Sequence, residues 1–386
     1  MAGMLLNIES IERIRMKTKV WVVIWGLKDG GAEVLAREYA RLVDKESFDT
    51  TVVTMYPFEN TANYRRAKEA GLRMISIFKK RNTVSRAIRA LLGNWYIPMK
   101  IKAMLKEEQP NAIHFNSKMA LFFNPIQKEL SGIPLLYTCH SKPGEYFYDK
   151  EEQAVRNLIQ EPGLRLIALH EDMRKELNER FGINNTVVIR NGTDLQRFRN
   201  PSCSKKEMRE SVGIPQDAYV VGHVGRFAKV KNHAFLLQVF QKLIERKANA
   251  HLLMVGSGEL QEEIQQKIKE LHLENRVTIL SHRTDIPELL HAMDVMVFPS
   301  FYEGLSVTLV EAQASGLKCV VSDSINPANY LSEKTIPVSL SVEAEKWADI
   351  ALDDKIKNVA HGNIEDYDMN REIHRLERLY QGELDV

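Results

Sequence analysis

Two carboxylates, Glu303 and Glu311, stand in SFYEGLSVTLVEAQASG (300–316), a stretch that is otherwise rich in apolar and small residues. The pattern predicts a loop over 300–305 and a helix that starts near Val307. Small residues beside Glu311 would leave room for a ligand against its side chain. Alternatively, Glu303 interacts with the helix dipole and Glu311 is an exposed helical residue.

Two cations, Arg226 and Lys231, lie in RFAKVKNHAFLL, directly after the strand pattern YVVGHVG. We predict that Asn232 caps the helix that follows this loop. Two cations on one loop would suit a diphosphate. Taken alone, the loop favours the alternative that both are solvated surface residues, since exposed Arg and Lys are ordinary.

Glycines mark two further places where a strand pattern gives way to a helix. Gly30 and Gly31 follow the first strand, and Gly256 and Gly258 lie in VGSGELQEE. Glycine permits close approach of the backbone, and the free N–H groups at the start of a helix attract an anion. A glycine pair alone is more often a tight turn, so the prediction depends on these sites sharing one edge.

Short apolar runs alternate with segments of helical period along the whole chain, which is typical of parallel sheets buried on both faces. The pattern restarts at YVVGHVG, after a break in NGTDLQRFRNPSCSKK (191–206). We therefore predict an α/β protein with two Rossmann-like domains, 1–190 and 191–365, followed by a helix over 366–386. Such sheets bind ligands beyond the carboxyl ends of their strands.

Composition narrows the functional classes. A chain of 386 residues favours two domains. Its 53 basic and 51 acidic residues give a net charge of +2, which argues against a nucleic-acid-binding protein.

Widely spaced Cys139, Cys203 and Cys319 predict no zinc site or disulfide framework and indicate a reducing compartment. Without a signal-peptide core or a run of about 20 apolar residues, we expect a cytoplasmic protein, soluble or peripheral.

The segment PSFYEGLSVTLVEAQASGL closely resembles the signature of family-4 retaining glycosyltransferases, which have the GT-B fold. The resemblance extends to Gly30, Gly31 and Glu33, to NGTDLQRF (191–198) and to GHVGRFAKVKNHAFLL (222–237). The segments EGLSVTLVEAQASGL and VSDSI are similar to the corresponding segments of the capsule and exopolysaccharide branch of this family. The resemblance implies two Rossmann-like domains facing across a cleft, with the last helix crossing back to the N-terminal domain.

The resemblance also implies roles for individual residues. Glu311 would bind both ribose hydroxyls, which suits a group with acceptor oxygens only. Glu303 would face the hydroxyls of the donor sugar, and Arg226 and Lys231 would neutralise the donor diphosphate as the sugar leaves. His140, at the exit of PLLYTCH, would lie beside the reacting sugar. Backbone groups expected to contact the donor belong to Gly30, Gly31, Gly225, Gly256, Gly258, Gly304 and Leu305.

Two positions depart from the family pattern, His170 where serine is usual and Lys318 where proline is frequent. We expect these departures to affect local packing and not the chemistry. No cofactor and no metal ion are implied. Asp366 and Asp368 form an Asp-x-Asp triplet like that of metal-dependent transferases, but they fall at the start of the tail helix, away from any strand exit.

The implied function is transfer of a hexosyl or N-acetylhexosaminyl group, with retention of configuration, from a nucleotide sugar. UDP is the expected nucleotide and GDP the second choice. The N-terminal domain would bind the acceptor, a hydroxyl of a growing, lipid-linked surface polysaccharide. Two alternatives are a non-hydrolysing nucleotide-sugar epimerase of the same fold, which would need acid and base carboxylates, and an inactive nucleotide-sugar-binding subunit.

A basic segment, Lys79 to Lys106, contains eight cations and no acidic residue. Apolar side chains fall at helical spacing beside them, namely Val84, Ile88, Leu91, Leu92 and Trp95. A basic amphipathic helix suits an anionic membrane surface, which would place the protein on the inner face of the cytoplasmic membrane. Equally open is a helix that packs on the core and exposes a solvated basic side.

Overall fold

The computed structural model describes residues 17–28, 30–303 and 305–383. The chain divides into two compact units, one formed by Met1–Arg190 with Asn370–Val386 and the other by Asn191–Met369. Within the described residues, each unit is built on one parallel sheet with helices between successive strands.

The sheet of the first unit has seven strands in the described part of the chain. These strands are β1 Thr18–Ile24, β2 Phe48–Thr54, β3 Arg73–Ser76, β4 Ala112–Phe115, β5 Leu135–Thr138, β6 Arg165–Ala168 and β7 Val187–Val188. Their order is β3-β2-β1-β4-β5-β6-β7, and Val22 of β1 pairs with Val52 of β2 and His114 of β4. All of β4 and β5 is buried, as expected for continuously apolar strands covered on both faces.

Helices connect these strands. They are α1 Gly31–Leu42, α2 Ala62–Glu69, α3 Thr83–Glu108, α4 Ala120–Phe123, α5 Pro143–Tyr146, α6 Asp149–Gln160 and α7 Glu171–Phe181. His170 is the N-cap residue of α7, where its Nδ1 accepts a hydrogen bond of 3.2 Å from the backbone N–H of Met173. The imidazole therefore does the work that a serine hydroxyl performs at other helix starts, and its departure from the family pattern is structurally neutral.

The sheet of the second unit has six strands among the described residues. They are β8 Tyr219–Val224, β9 Ala250–Val255, β10 Val277–Leu280, β11 Val295–Phe298, β12 Lys318–Ser322 and β13 Thr335–Val338. Their order is β10-β9-β8-β11-β12-β13. The chain adds β9 and β10 on one side of β8 and then β11, β12 and β13 on the other. The loops after β8 and β11 therefore flank the crevice where open parallel sheets bind ligands.

The second unit contributes seven α-helices within the described residues. They are α8 Leu195–Arg199, α9 Lys205–Ser211, α10 His233–Arg246, α11 Gln261–Glu270, α12 Ile286–Ala292, α13 Val307–Ala314 and α14 Ala344–Leu352. Helix α13 begins at Val307, as the sequence predicts, and Ser306 caps it by accepting a hydrogen bond from the N–H of Leu309.

The last helix, α15 Met369–Tyr380, packs on the first unit. Tyr380 Oη lies 2.8 Å from Nδ1 of His114 in β4, and Glu377 accepts a hydrogen bond from the N–H of Asp44. The helix does not extend back to 366, because Asp366 lies in a short 3₁₀ segment, Ile364–Tyr367, that precedes it. The predicted fold class of two Rossmann-like domains is confirmed.

Lys318 is buried at the start of β12, and its Nζ donates to the carbonyl oxygens of Ile350 at 2.7 Å and Asp353 at 2.6 Å. Both carbonyls lie at the C-terminal end of α14, where helical carbonyl groups run out of intrahelical donors; that of Ile350 also accepts a long bond of 3.3 Å from the N–H of the C-cap residue Asp353. The ammonium group of Lys318 thus ties the end of α14 to the start of β12, a packing role and not a chemical one.

We expect Lys318→Met to lower the free energy of unfolding by about 1–3 kcal/mol, because the carbonyls of Ile350 and Asp353 lose a charged donor while the apolar stem is kept. Urea denaturation followed by circular dichroism measures the change. Lys334→Met is the matched control, since exposed Lys334 donates to one carbonyl, that of Gly316, at 3.2 Å. Equal effects of the two substitutions would show that the buried contacts of Lys318 contribute nothing.

Candidate functional site

The loops that follow β8 and β11 are brought together by an ion pair. Lys231 Nζ lies 2.6 Å from Glu303 Oε1, with 13% and 14% of the two side chains exposed. The N–H of Phe301 also donates to the carbonyl of Val230 at 2.9 Å, so the backbones of the two loops are in contact. Two candidate residues that are 72 positions apart in the sequence thus share one location at the carboxyl edge of the second sheet.

The ammonium group of Lys231 is held by Glu303 and by an aromatic ring. Its Nζ lies 4.6 Å from the centre of the Phe298 ring, a cation–π contact. Gly225 leaves room for the lysine stem, because a Cβ atom at that position would lie 3.3 Å from Lys231 Cε. The glycine, the ring and Glu303 therefore fix the cation in a largely desolvated position, where an anion would interact with it strongly.

Arg226 has a different environment on the same loop. Its guanidinium is 73% exposed and lies 3.0 Å from Glu259, a residue that the sequence analysis did not identify. Exposed ion pairs contribute little to stability, so Arg226 can leave Glu259 for a ligand at small cost. Arg226 lies in the loop between β8 and α10, as the sequence predicts. Its partner Glu259 lies in the loop after β9.

Gly256 and Gly258 are required by the contact between neighbouring loops. A Cβ atom at Gly256 would overlap the carbonyl oxygen of Gly225, and one at Gly258 would overlap that of Phe227. The N–H of Phe227 donates to the carbonyl of Ser257 at 3.0 Å. The glycines after β9 thus allow two strand-exit loops to touch, which is a structural reason for residues that the sequence analysis assigned to a ligand.

Glu311 is half-buried on α13 and accepts a hydrogen bond of 3.3 Å from the hydroxyl of Thr193. Burial removes water from the carboxylate and raises the pKa of Glu311 to about 7, although the Thr193 bond and the charge of Arg197 oppose this shift. Its environment differs from that of an exposed helical carboxylate. Thr193 was missed as a site residue, and only its place in NGTDLQRF could have indicated it.

Three buried side chains near Lys231 carry polar atoms without a partner among the described residues: His223 Nε2, both ring nitrogens of His233, and Ser300 Oγ. The two imidazole rings are 4.8 Å apart. Burial, together with the charge of Lys231, lowers the pKa of His233 to about 4 and lowers that of His223 as well, so both rings are neutral near pH 7.

Asn232 does not cap α10 in the predicted way. It occupies the N-cap position, but its backbone has φ 53° and its side chain makes no capping hydrogen bond. Asparagine tolerates this left-handed conformation better than most residues. The residue therefore serves the turn that delivers Lys231, and the prediction of a side-chain cap was wrong.

Candidate residues of the first unit lie at the exits of β1 and β5. Gly30 is the N-cap residue of α1 and lies under the Glu33 side chain, while the space where a Cβ of Gly31 would stand is open. His140 follows β5, and its Nε2 donates to Oδ1 of Asn116 at 3.1 Å. Asn116 follows β4 and was not identified from the sequence.

The tautomer of His140 follows from its partner. Asn116 Nδ2 donates to the carbonyl of His114 at 3.3 Å, so Oδ1 faces the imidazole and must accept from a protonated Nε2. Nδ1 is buried and has no partner in the described part of the chain, and burial lowers the pKa of His140 to about 4. The ring is therefore a neutral group that offers an acceptor lone pair at Nδ1.

Gly304 lies outside the described residues, while Leu305 is half-buried against the core of the second unit. Among the described residues no cluster of three or more His, Cys, Asp or Glu side chains could hold a metal ion. Asp368 lies beside Thr193 in an isolated parallel bridge. No helix in the described ranges is long and apolar enough to cross a membrane.

Known proteins resemble the chain over most of its length. Residues 29–197 match the family described as Glycosyltransferase Family 4, and residues 204–373 match Glycosyl transferases group 1. EpsF of Bacillus subtilis, which is named as a glycosyltransferase, is 32% identical over 321 residues, 80% of this chain and 79% of the relative. The chain belongs to this family of glycosyltransferases.

Two further known proteins are similar to this glycosyltransferase. An Escherichia coli enzyme named UDP-Gal:α-D-GlcNAc-diphosphoundecaprenol α-1,3-galactosyltransferase is 30% identical over 239 residues, 59% of this chain and 61% of the relative. The crystal structure of HepE from Anabaena in complex with UDP and glucose superposes with a TM-score of 0.70 at 19% identity, covering 95% of this chain and 100% of HepE. The latter likeness shows the shared fold.

We expect Glu311→Gln to stabilise the glycosyltransferase at pH 8 by about 1–3 kcal/mol and to change little at pH 5. The folded-state pKa of about 7 lies above the ordinary value of 4.5, so the wild type loses stability as pH rises between these values. Thermal unfolding at both pH values measures the difference. Glu263→Gln, at an exposed position of α11, is the control. A destabilised Gln variant at pH 8 would contradict the desolvated carboxylate.

We expect long-range ¹H–¹⁵N spectra at pH 6 to show His140 as the neutral, Nε2-protonated tautomer. Asn116→Asp should raise the His140 pKa, because a carboxylate beside Nε2–H favours the imidazolium form. Asn94→Asp, exposed on α3, should leave the spectrum unchanged. A wild-type ring protonated at Nδ1 would contradict the role of Asn116.

Proposed function

We propose that this glycosyltransferase moves a hexosyl or N-acetylhexosaminyl group from a UDP-sugar, with retention of configuration, to a hydroxyl of a lipid-linked saccharide in surface polysaccharide synthesis. The observation that carries the proposal is the desolvated Lys231–Glu303 pair at the carboxyl edge of the second sheet, with Arg226 on the same loop. It combines, at one edge, cations for a diphosphate and a carboxylate for sugar hydroxyls.

The names of similar proteins support the choice of substrates. HepE was crystallised with UDP and glucose, and the Escherichia coli relative is named for UDP-galactose as donor and a diphosphoundecaprenol-linked acceptor. A third relative, 25% identical over 334 residues, is named for amylovoran biosynthesis. These names favour a uridine nucleotide and a polysaccharide product for this chain.

In the proposed reaction, the bond between the sugar C1 and the β-phosphate oxygen breaks as the acceptor oxygen bonds to C1 from the same face. The acceptor hydroxyl proton passes to the departing phosphate oxygen. Negative charge grows on the diphosphate, and Lys231 and Arg226 stabilise it without a metal ion. Lys231 is already held by Phe298 and Glu303, so little reorganisation is needed.

Other candidate residues would orient the substrates. The Glu311 carboxylate would accept hydrogen bonds from the ribose hydroxyls, and Glu303 from a hydroxyl of the donor sugar. The free Nδ1 of His140 would accept one from a hydroxyl near the reacting carbon. Backbone groups proposed to approach the donor are those of Gly30, Gly31, Gly225, Gly256, Gly258, Gly304 and Leu305.

The exposed face of α3 supports membrane attachment. Leu91 is 82% exposed and Trp95 67% exposed, as are Val84, Leu92 and Met99 to a smaller degree. These side chains do not pack on the core, which α3 contacts instead through Ile97, Ile101 and Leu105. The apolar face therefore favours docking on an anionic membrane, on the cytoplasmic side, over an ordinary solvated helix.

We expect Arg226→Ala and Lys231→Ala each to lower kcat on the order of 100-fold while changing donor binding less, because charge on the diphosphate grows toward the transition state. UDP release from a UDP-sugar, with a farnesyl diphosphate-linked saccharide as acceptor and EDTA present, measures turnover. Lys242→Ala, an exposed cation of α10, is the control. A raised KM at unchanged kcat would contradict the proposal, and UDP-sugar binding without acceptor-dependent release would favour an inactive subunit.

We expect co-sedimentation with phosphatidylglycerol vesicles to fall as salt rises from 0.1 to 1 M, since the screening length shrinks from about 10 Å to about 3 Å. Leu91→Ser with Trp95→Ser should abolish sedimentation, because the inserted apolar area is lost. Val359→Ser, an exposed apolar residue of the second unit, should have no effect. Equal sedimentation of the α3 variant and wild type would leave α3 as a solvated helix.

A further inference from the structure

Three cations gather where the first three strands of the first sheet end. Lys28 follows β1, Arg81 follows β3, and Arg89 lies on the first turns of α3. The cation cluster, as we name Lys28, Arg81 and Arg89, is outside the set of residues assigned to the donor.

Two aromatic rings hold the cation cluster in place. Lys28 Nζ lies 5.2 Å and Arg81 Cζ 5.3 Å from the centre of the same ring, that of Phe58. Arg89 Cζ lies 5.5 Å from the ring centre of Trp25. The Phe58 ring packs against Gly26, the neighbour of Trp25, because a Cβ atom at Gly26 would overlap it. Lys28 and Arg81 therefore share one ring, and Arg89 contacts a ring whose chain neighbour, Gly26, packs on the first.

The positive charge of the cation cluster is not neutralised within the described part of the protein. None of its three members forms an ion pair there, although other cations of this unit do, such as Arg73 with Glu108 and Lys102 with Glu129. Glu59, next to Phe58 in the chain, is exposed and forms no ion pair in the described residues. Like charges held close together repel, and an anion between them would remove that cost.

An unsatisfied donor points to the same conclusion. Arg89 Nε is buried and has no hydrogen-bond partner among the described residues. A buried N–H without an acceptor is costly, so a ligand acceptor at this position would be favourable. Helix α3 also begins here, at Thr83, with no acidic residue in its first turn. A capping box between Asn82 and Ser85 already uses the Ser85 N–H, so what the helix adds to the attraction for an anion is its dipole.

We propose that the cation cluster binds the diphosphate group of the lipid-linked acceptor. The inference rests on the proposed function, in which Lys231 and Arg226 of the second unit serve the diphosphate of the donor. A second set of cations then needs a second anion. The acceptor would be a saccharide on a polyprenyl diphosphate, and its lipid chain would run beside the exposed Leu91 and Trp95, on the same helix as Arg89.

A fixed anion fits the cluster better than the diffuse charge of a membrane surface. Aromatic contacts restrict Lys28 and Arg81, and the buried Nε of Arg89 needs an acceptor at one defined place. Diphosphate oxygens offer several acceptors within a few ångströms, which suits the planar donors of two guanidinium groups. The exposed cations Lys79, Lys80 and Arg86 make no such contacts in the described structure.

The test is calorimetric titration of the full chain with inorganic pyrophosphate while saturating UDP occupies the donor site. The variant Lys28→Gln/Arg81→Gln/Arg89→Gln should lose more than about tenfold in pyrophosphate affinity, since charge-assisted hydrogen bonds are lost. The control Lys100→Gln/Lys106→Gln/Lys128→Gln removes as many exposed cations from α3 and the segment after α4 and should bind normally. Arg89→Lys keeps the charge without Nε and should lose part of the affinity.

Unchanged pyrophosphate affinity in the triple cluster variant would overturn the proposal. So would loss of this binding in Arg226→Ala, because the anion would then occupy the donor site. A cluster variant that loses phosphatidylglycerol vesicles but keeps pyrophosphate would assign the cations to lipid headgroups instead. Pyrophosphate binding at the cluster in a chain that never releases UDP would contradict the proposed transferase and leave the anion site standing.

Discussion

The ion pair between Lys231 and Glu303 is the contact on which the candidate site depends. It joins the loops after β8 and β11, the two strands between which the order of the second sheet reverses. A cation with 13% of its side chain exposed needs a compensating charge, and Glu303 supplies it before any ligand binds. At the sheet edge, the Phe298 ring contacts that ammonium group and Gly225 leaves space for the lysine stem. The loop after β9 in turn packs against Gly225.

The site is built at a cost to stability. His223, His233 and Ser300 bury polar atoms that have no partner among the described residues. The pKa of the Glu311 carboxyl group is raised to about 7 because burial removes water from it. A core designed for stability alone would avoid such groups. Their grouping around the strand exits of the second unit is what a ligand-binding surface requires, since a ligand can provide the missing hydrogen bonds.

The sequence predicts the fold well because continuous apolar runs and helical periods are local signals, and both sheets depend on them. It also predicts that Glu303 lies in a loop and Glu311 in a helix that starts at Val307. Thr193 and Asn116 were missed because their role comes from a hydrogen bond to a residue distant in the chain. The expected cap at Asn232 failed because the backbone there is left-handed, a property set by the turn that carries Lys231.

We propose that the second unit binds a nucleotide sugar at the carboxyl edge of its sheet, with uridine as the base. Thermal unfolding of the chain with UDP-, GDP- and ADP-sugars tests it most directly, because ligand at about 100 times its dissociation constant adds about 2.7 kcal/mol of stability. UDP-sugars should raise the unfolding temperature of the wild type, and Lys231→Ala should reduce the shift. No shift with any nucleotide sugar, or a shift with UDP-sugars that Lys231→Ala and Glu311→Ala leave unchanged, would contradict the claim.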